Sequence, residues 1–263
     1  GTQDQLLSRA LNRGYAMSRY RWPMHYALLN NDCLWVLDEI QLMGVGLSTS
    51  AQLDAFRRRW KTYGPTHSIW MSATLDVARL ATIDQRNRAL TALELSDADR
   101  KAPALAARLA ARKSVHKAQT GLFKASGPTW KALAAEVAQA HVQGSLTLVV
   151  LNRVDHARAL FEALRKAKVS DISLLHSRFR PAEREALQAR ILADGFSGIL
   201  VSTQTVEAGV DLSAQTLFTA ICPWDAFVQR VGRCNRKGEF ETAHVFWVDQ
   251  TDKLAEPYTA ADL

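Results

Sequence analysis

Two carboxylates, Asp38 and Glu39, stand side by side directly after the apolar run Leu34, Trp35, Val36 and Leu37. Such a run reads as a short strand of a parallel sheet, buried on both faces, with the acids at its carboxyl end. Open parallel sheets bind ligands in the crevice beyond that end. A magnesium ion takes carboxylate and water oxygens, and phosphoryl transfer also needs a group that orients the attacking water. One Asp and one Glu can supply both parts. In a chain with 26 acidic residues the pair can equally be a solvated strand end.

Further on, the run Ile69, Trp70, Met71 ends in Ser72, Ala73 and Thr74. Two hydroxyls at a strand end can hydrogen-bond the acid pair, or simply cap the next helix. The stretch VSTQTVEAGVDLSA, 201–214, supplies Thr203, Gln204, Glu207, Gly209 and Asp211 in one turn. Hydroxyls, backbone N–H groups and a glycine allowing close approach suit a sugar-phosphate chain, with an acid for ribose or arginine. In QRVGRCNRKG, 229–238, Gln229 is followed by Arg230, Arg233 and Arg236 at intervals of three. On a helix these arginines share one face and can grip phosphate oxygens, or form a solvated face. Beside Gly232 and after an apolar strand, they look like fingers for the charge on a transferring γ-phosphate.

These residues need a scaffold. Strand candidates are 34–38, 68–75, 146–152, 172–177, 198–203, 216–222 and 243–249. Helical periodicity fills the gaps: one segment opens at Ser50 and stops at Gly64, and another runs from Pro181 to Gly195. Strands alternating with helices predict an α/β fold with mainly parallel sheets. The stretch 83–115 shows no strand pattern, a linker is expected near 113–128, and a new helix near Thr129. This predicts two domains, 1–115 and 116–263, with two strands in the first and five in the second. Two strands make the first sheet incomplete; either further strands precede it or the two join the second sheet.

The formal net charge of +7 and pI near 9.5 favour a polyanionic partner. Cys33, Cys222 and Cys234 show neither metal-ligand nor disulfide spacing, and Cys33 and Cys222 read as small core residues. No apolar run approaches the roughly 18 residues that span a bilayer, so no membrane partner and a cytoplasmic location are expected.

VLDEIQ, MSATL, LLHSRF, VSTQTVEAGVDLS and QRVGRCNRKG, in this order, resemble motifs II to VI of superfamily 2 helicases. DEIQLMG, HSRF and QRVGR look most like the helicase part of the CRISPR-associated helicase-nucleases called Cas-three. GTQDQLLSR at 1–9 is similar to that family's strand-touching segment. The resemblance implies two RecA-like P-loop NTPase domains, ATP and Mg2+ as cofactors, and a single-stranded nucleic acid, DNA by family, as partner. It implies a CRISPR guide-RNA effector complex as recruiter.

By position, Asp38 would hold magnesium through water and Glu39 would polarise the attacking water. Ser72 and Thr74 would couple hydrolysis to movement. Gln229, Arg233 and Arg236 would reach the γ-phosphate, with Gly209 and Asp211 near the ribose. Thr2, Asp4, Gln5, Thr203 and Gln204 would track the strand. His176, Ser177 and Arg178 would contact the strand or the arginine segment, His176 being equally a core histidine.

Two departures accompany the resemblance. No G-x-x-x-x-G-K-[ST] loop occurs, and none of the seven histidines is followed by Asp, so the nuclease signature is absent. VDH at 154–156 reads as a helix surface. The chain is therefore expected to be an amino-truncated piece of a larger ATP-driven helicase and to hydrolyse ATP poorly or not at all alone. Another superfamily 2 DNA or RNA helicase, or a non-hydrolysing single-strand-binding module, stays open as an alternative.

Overall fold

The computed structural model describes residues 3–72, 77–85, 90–193, 195–207, 210–251, 255–259 and 262. Two compact units divide the chain, Gly1–Leu93 and Glu94–Leu263. No described helix is long and apolar enough to cross a membrane.

In the first unit, helices α1 (Gln3–Ala10), α2 (Trp22–Asn30) and α3 (Val45–Trp60) accompany strands β1 (Cys33–Leu37) and β2 (Thr66–Trp70). The strands pair in parallel with Leu37 opposite Trp70, forming a two-stranded sheet of their own. They do not join the larger sheet. Trp35 and Leu37 pack with Leu7, Ile40, Leu47 and Ala51. Leu34 and Val36 point the other way and are 58% and 54% exposed, so β1 is not buried on both faces as its sequence suggested. The core cluster of this unit takes only the alternate residues of β1, which leaves the intervening ones to solvent. Helix α3 begins five residues before Ser50 and ends at Trp60 rather than Gly64. Ser50 is buried mid-helix, bonded to the Leu47 carbonyl and accepting from Trp70 Nε1, so its cap-like chemistry serves packing instead.

The second unit holds α4 (Asp97–Lys101), α5 (Pro103–Ala110), β3 (Ser114–Lys117), α6 (Gly127–Ala140), β4 (Leu146–Val150), α7 (Val154–Lys166), β5 (Ile172–Leu175), α8 (Pro181–Leu192), β6 (Gly198–Ser202), β7 (Thr216–Ala220), α9 (Trp224–Val231) and β8 (His244–Val248). Its strands form one parallel six-stranded sheet in the order β3-β8-β7-β4-β6-β5. Every residue of β4, β6 and β7 is buried. On one face, Val149, Val201 and Phe218 pack with Trp130 and Leu133 of α6 and Leu160 and Leu164 of α7. On the other, Leu148, Leu200 and Leu217 pack with Ile191 of α8, and Phe227 and Val231 of α9 lie against that cluster. A sheet covered on both faces needs the largely apolar runs these strands carry, with only small hydroxyl residues among them.

The sixth strand corrects the expected linker: residues 114–117 of the 113–128 stretch form β3, paired with β8. Its sequence, SVHK, has one aliphatic residue and lies exposed at the sheet edge, so neither apolar alternation nor a buried run marked it. With β3, α4 and α5 counted in the second unit, the division falls after Leu93 rather than after 115. Parallel backbone pairing with one strand, β8, holds β3 in place, an interaction that leaves no side-chain signature.

Candidate functional site

In the first unit, β1 and β2 run out together: the Met71 amide donates to the Leu37 carbonyl at 2.8 Å and the Ile40 amide to the Met71 carbonyl at 3.2 Å. This pairing brings the residues after Leu37 beside those after Trp70. Asp38 is exposed, and its Oδ1 accepts the Glu39 amide at 2.9 Å. Glu39 takes left-handed backbone angles, φ 50° and ψ 47°, which turn the chain into the short 3-10 segment Ile40–Met43. From that segment Gln41 Nε2 donates to Glu39 Oε2, while Gln41 Oε1 accepts from the Ser72 hydroxyl, each at 2.5 Å. An ionised carboxylate only accepts, so the Gln41 amide has one consistent orientation in this chain. Ser72 thus reaches the acid pair through Gln41. Sequence reasoning named Ser72 but not Gln41, whose only signal was its position two residues after Glu39.

Among the described residues no group of three or more His, Cys, Asp or Glu is placed to hold a metal. Magnesium does not need one, because one or two carboxylates suffice when phosphate and water complete an octahedron. One amide bond leaves most of the acceptor capacity of exposed Asp38 open, so the residue fits that role. Asp4 is exposed in the first turn of α1, and Gln5 is half-buried beside it. The neighbour Gln3, which sequence reasoning passed over, ties α1 to this segment by donating to the Met43 carbonyl at 2.8 Å. Thr2 and Thr74 lie outside the described residues, as does Gly209.

In the second unit, the three arginines separate. Helix α9 stops at Val231, so they do not share a helical face. Arg230 is fully buried. Its Nε meets Glu207 Oε1 at 2.7 Å, Nη1 the Thr219 hydroxyl and Ala220 carbonyl at 3.0 and 3.1 Å, and Nη2 Asn152 Oδ1 at 3.1 Å. Arg233 is also buried and donates to the carbonyls of Val206 and Glu207 at 3.1 and 2.6 Å. Arg236 alone of the three is exposed, paired with Asp211 at 2.7 Å, with its amide on Ser213 Oγ at 2.9 Å. Gln229 is half-buried on α9.

Thr203 is buried with its hydroxyl 3.2 Å from that of Thr205, and Gln204 donates to the Asn152 carbonyl at 3.0 Å. Asn152 therefore links the turn after β6 to Arg230. The polar residue closing the apolar run LTLVVL was its only sequence signal.

His176 is buried, stacked on Phe179 with ring centroids 4.4 Å apart, and its Nδ1 accepts the Arg178 amide at 3.2 Å. It is a packed residue; Ser177 and Arg178 beside it are exposed, Arg178 within 3.7 Å of Asp155. His156, read as surface, is buried against Trp130 at 5.2 Å between ring centroids. The amphipathic helix simply turns that position inward.

Burial lowers the pKa of His141, His156 and His176, with neighbouring arginines adding to the shift at the last two. The unfolded chain takes up protons near the ordinary 6.5 that these folded imidazoles refuse. Their contribution to stability is therefore complete above about pH 6.5 and is lost as the pH falls below it. Urea midpoints measured from pH 8 to pH 5 should fall, and His156→Gln should flatten the fall; an unchanged midpoint would remove this account.

The parallel sheets and the helices that cover them have the fold of RecA-like domains. Residues 143–239 match the family described as CRISPR-associated nuclease/helicase Cas3, C-terminal. The CRISPR-associated helicase Cas3 of Thermoproteus tenax is 33% identical over 107 residues, 39% of this chain and 18% of that protein. The crystal structure of T. fusca Cas3 covers the whole chain with a TM-score of 0.67 at 20% identity, using 33% of its own length. Mycobacterium smegmatis helicase Lhr bound to ssDNA and AMP-PNP covers 95% of the chain at a TM-score of 0.57 and 16% identity, using 31% of its own length. The chain thus spans a third or less of these proteins.

Proposed function

We propose that this chain forms part of an ATP-driven motor that moves along single-stranded DNA and unwinds duplex in CRISPR-associated defence, recruited by a guide-RNA effector complex. The observation that carries the reading is the hydrogen-bonded sequence Glu39, Gln41, Ser72 at the carboxyl end of a parallel strand pair. It connects a carboxylate placed to orient the attacking water, as phosphoryl transfer uses, to a second strand end. Magnesium, when bound with ATP, neutralises charge on the phosphate oxygens; Asp38 is the residue that would hold it through water. Glu39 orients the attacking water and takes up its proton. Gln41 fixes the Glu39 carboxylate, so loss of Gln41 would misalign the water rather than remove the base.

In the second unit, exposed Arg236 is the cation free to exchange its partner, Asp211, for a phosphate. Arg233 holds the turn at Val206 and Glu207, so its role is to position that turn beneath Thr203 and Gln204. The basic charge supports a polyanionic partner.

The test is ATP hydrolysis with and without single-stranded DNA, by this chain and by a version extended upstream to carry a phosphate-binding loop. Turnover by the extended version alone, stimulated by the strand, is the expected result. Equal turnover by the short chain would mean that the triphosphate is held without that loop, and strand-independent turnover would remove the motor reading.

A further inference from the structure

The carboxyl end of α3 continues as Arg57, Arg58, Arg59, Trp60, Lys61, Thr62 and Tyr63, cations interleaved with aromatics, and none of them belongs to the hydrolytic residues. Beside this run lies a cavity of about 310 Å³, with Leu11, Tyr26, Phe56, Arg57, Trp60 and Lys61 in its lining. Asn30 and Asn31, also in the lining, precede β1, and Thr62 precedes β2. The cavity therefore sits at the amino ends of the strands, whereas Asp38 follows the carboxyl end of β1. A five-residue strand separates the two by about 16 Å.

Arg57 is only 6% exposed. Its Nη1 donates to Asn30 Oδ1 at 3.2 Å, its Nη2 to Ser68 Oγ at 2.9 Å, and its guanidinium lies 4.5 Å from the centre of the Trp35 ring. All three partners are neutral. Its buried Nε has no hydrogen-bond partner among the described residues. The buried carboxylate of Asp54 offsets part of the Arg57 charge, and it is itself engaged by Arg58 at 3.0 Å and by Gln85 at 3.2 Å. Burial lowers the Arg57 pKa by more than the nearby Asp54 charge raises it, so the cation is only partly compensated. Such a group carries a standing cost until an anion reaches it.

At the rim, Trp60 is 67% exposed and Tyr63 fully exposed, Arg59 and Lys61 are exposed between and beside them, and the Phe56 and Trp60 rings lie 4.8 Å apart. Exposed Asp32 lies against Gly64, next to Tyr63 in the chain.

We propose that this cavity is a second nucleotide-unit site, separate from the hydrolytic residues, in which a base stacks on Trp60 and a phosphate meets Arg57 and Lys61. An aromatic face beside a desolvated guanidinium matches a base and its phosphate together, and about 310 Å³ lies at the small end of ligand sites. Base stacking on an aromatic side chain is worth about 1–3 kcal/mol and tolerates any base. The nucleotide unit comes either from a single strand or from a free mononucleotide, and the proposal stands independently of the hydrolysis reading.

The experiment measures fluorescence anisotropy of a labelled oligothymidylate on the 263-residue chain, with thymidine monophosphate and AMP as competitors. Wild type is compared with Trp60→Ala, Lys61→Ala and the double variant. Both residues are exposed, so the variants keep the fold, which circular dichroism verifies. Trp60→Ala should weaken oligonucleotide binding between about fivefold and a hundredfold. Lys61→Ala should reduce the salt slope by about 0.7. A bromodeoxyuridine strand should cross-link within residues 56–63. Competition by monophosphates at the same site assigns a free nucleotide, and competition by oligonucleotides alone assigns a strand. Variants that bind like wild type, with no cross-link in that segment and no monophosphate effect, overturn the site.

Discussion

Arg230→Ala should destabilise the second unit by about 3–5 kcal/mol, the cost of breaking a buried ion pair from one side. Arg230 is fully buried, and its partner Glu207 is only 17% exposed at the side chain. Truncation strands the carboxylate of Glu207, the Asn152 amide oxygen, the Thr219 hydroxyl and the Ala220 carbonyl without their donor. Those groups come from the end of β4, from β7 and from the turn after β6, so their loss reaches three elements.

Arg236→Ala makes the contrast. Its ion pair with Asp211 has side chains 43% and 66% exposed, and the loss should cost less than about 1 kcal/mol. Urea unfolding followed by tryptophan fluorescence separates the two. If Arg230→Ala unfolds within about 1 kcal/mol of wild type, the buried network is not a stabilising element. A double cycle with Glu207→Gln then measures the pair itself, with coupling expected because the two groups touch.

Glu39→Gln should lower ATP turnover on the order of a thousandfold in a version of the protein that carries a phosphate-binding loop, with nucleotide binding retained. The substitution keeps the size of the side chain and the adjacent Asp38 carboxylate, but removes the carboxylate proposed to receive the proton of the attacking water. General base removal costs about two to four orders of magnitude. Gln41→Ala should lower turnover less, because the base survives and only its orientation by Gln41 and Ser72 is lost. Single-turnover hydrolysis beside equilibrium nucleotide binding tests both. Turnover of Glu39→Gln within threefold of wild type would place the base elsewhere.

The strand ends were legible in the sequence because buried parallel strands demand largely apolar runs, and residues 146–150, 198–202 and 216–220 carry them, broken only by small hydroxyl residues. The acid pair was legible because it ends an apolar run, although β1 buries only alternate residues of that run. Strand β3 was not, because an exposed edge strand is held by backbone bonds to β8 that any side chain permits. The start of α3 at Val45 was missed because Ser50 has the chemistry of a cap, while Trp70, distant in sequence, uses it as an acceptor.

The sequence by itself determined the α/β class, the order of the polar segments at strand ends and their likeness to helicase motifs. Spacing put Arg230, Arg233 and Arg236 on an equal footing. Only the tertiary structure decided that Arg230 is a buried tie, Arg233 a clasp on backbone carbonyls and Arg236 the exposed cation. It likewise decided that Ser72 meets Glu39 through Gln41, and that Arg57 lies desolvated with Nε unmatched. Apolar runs and turn residues act between neighbours in sequence and can be read locally. The role of a guanidinium or an amide depends on which acceptors arrive beside it from elsewhere in the chain and on how much water remains, and both are settled only when the elements pack.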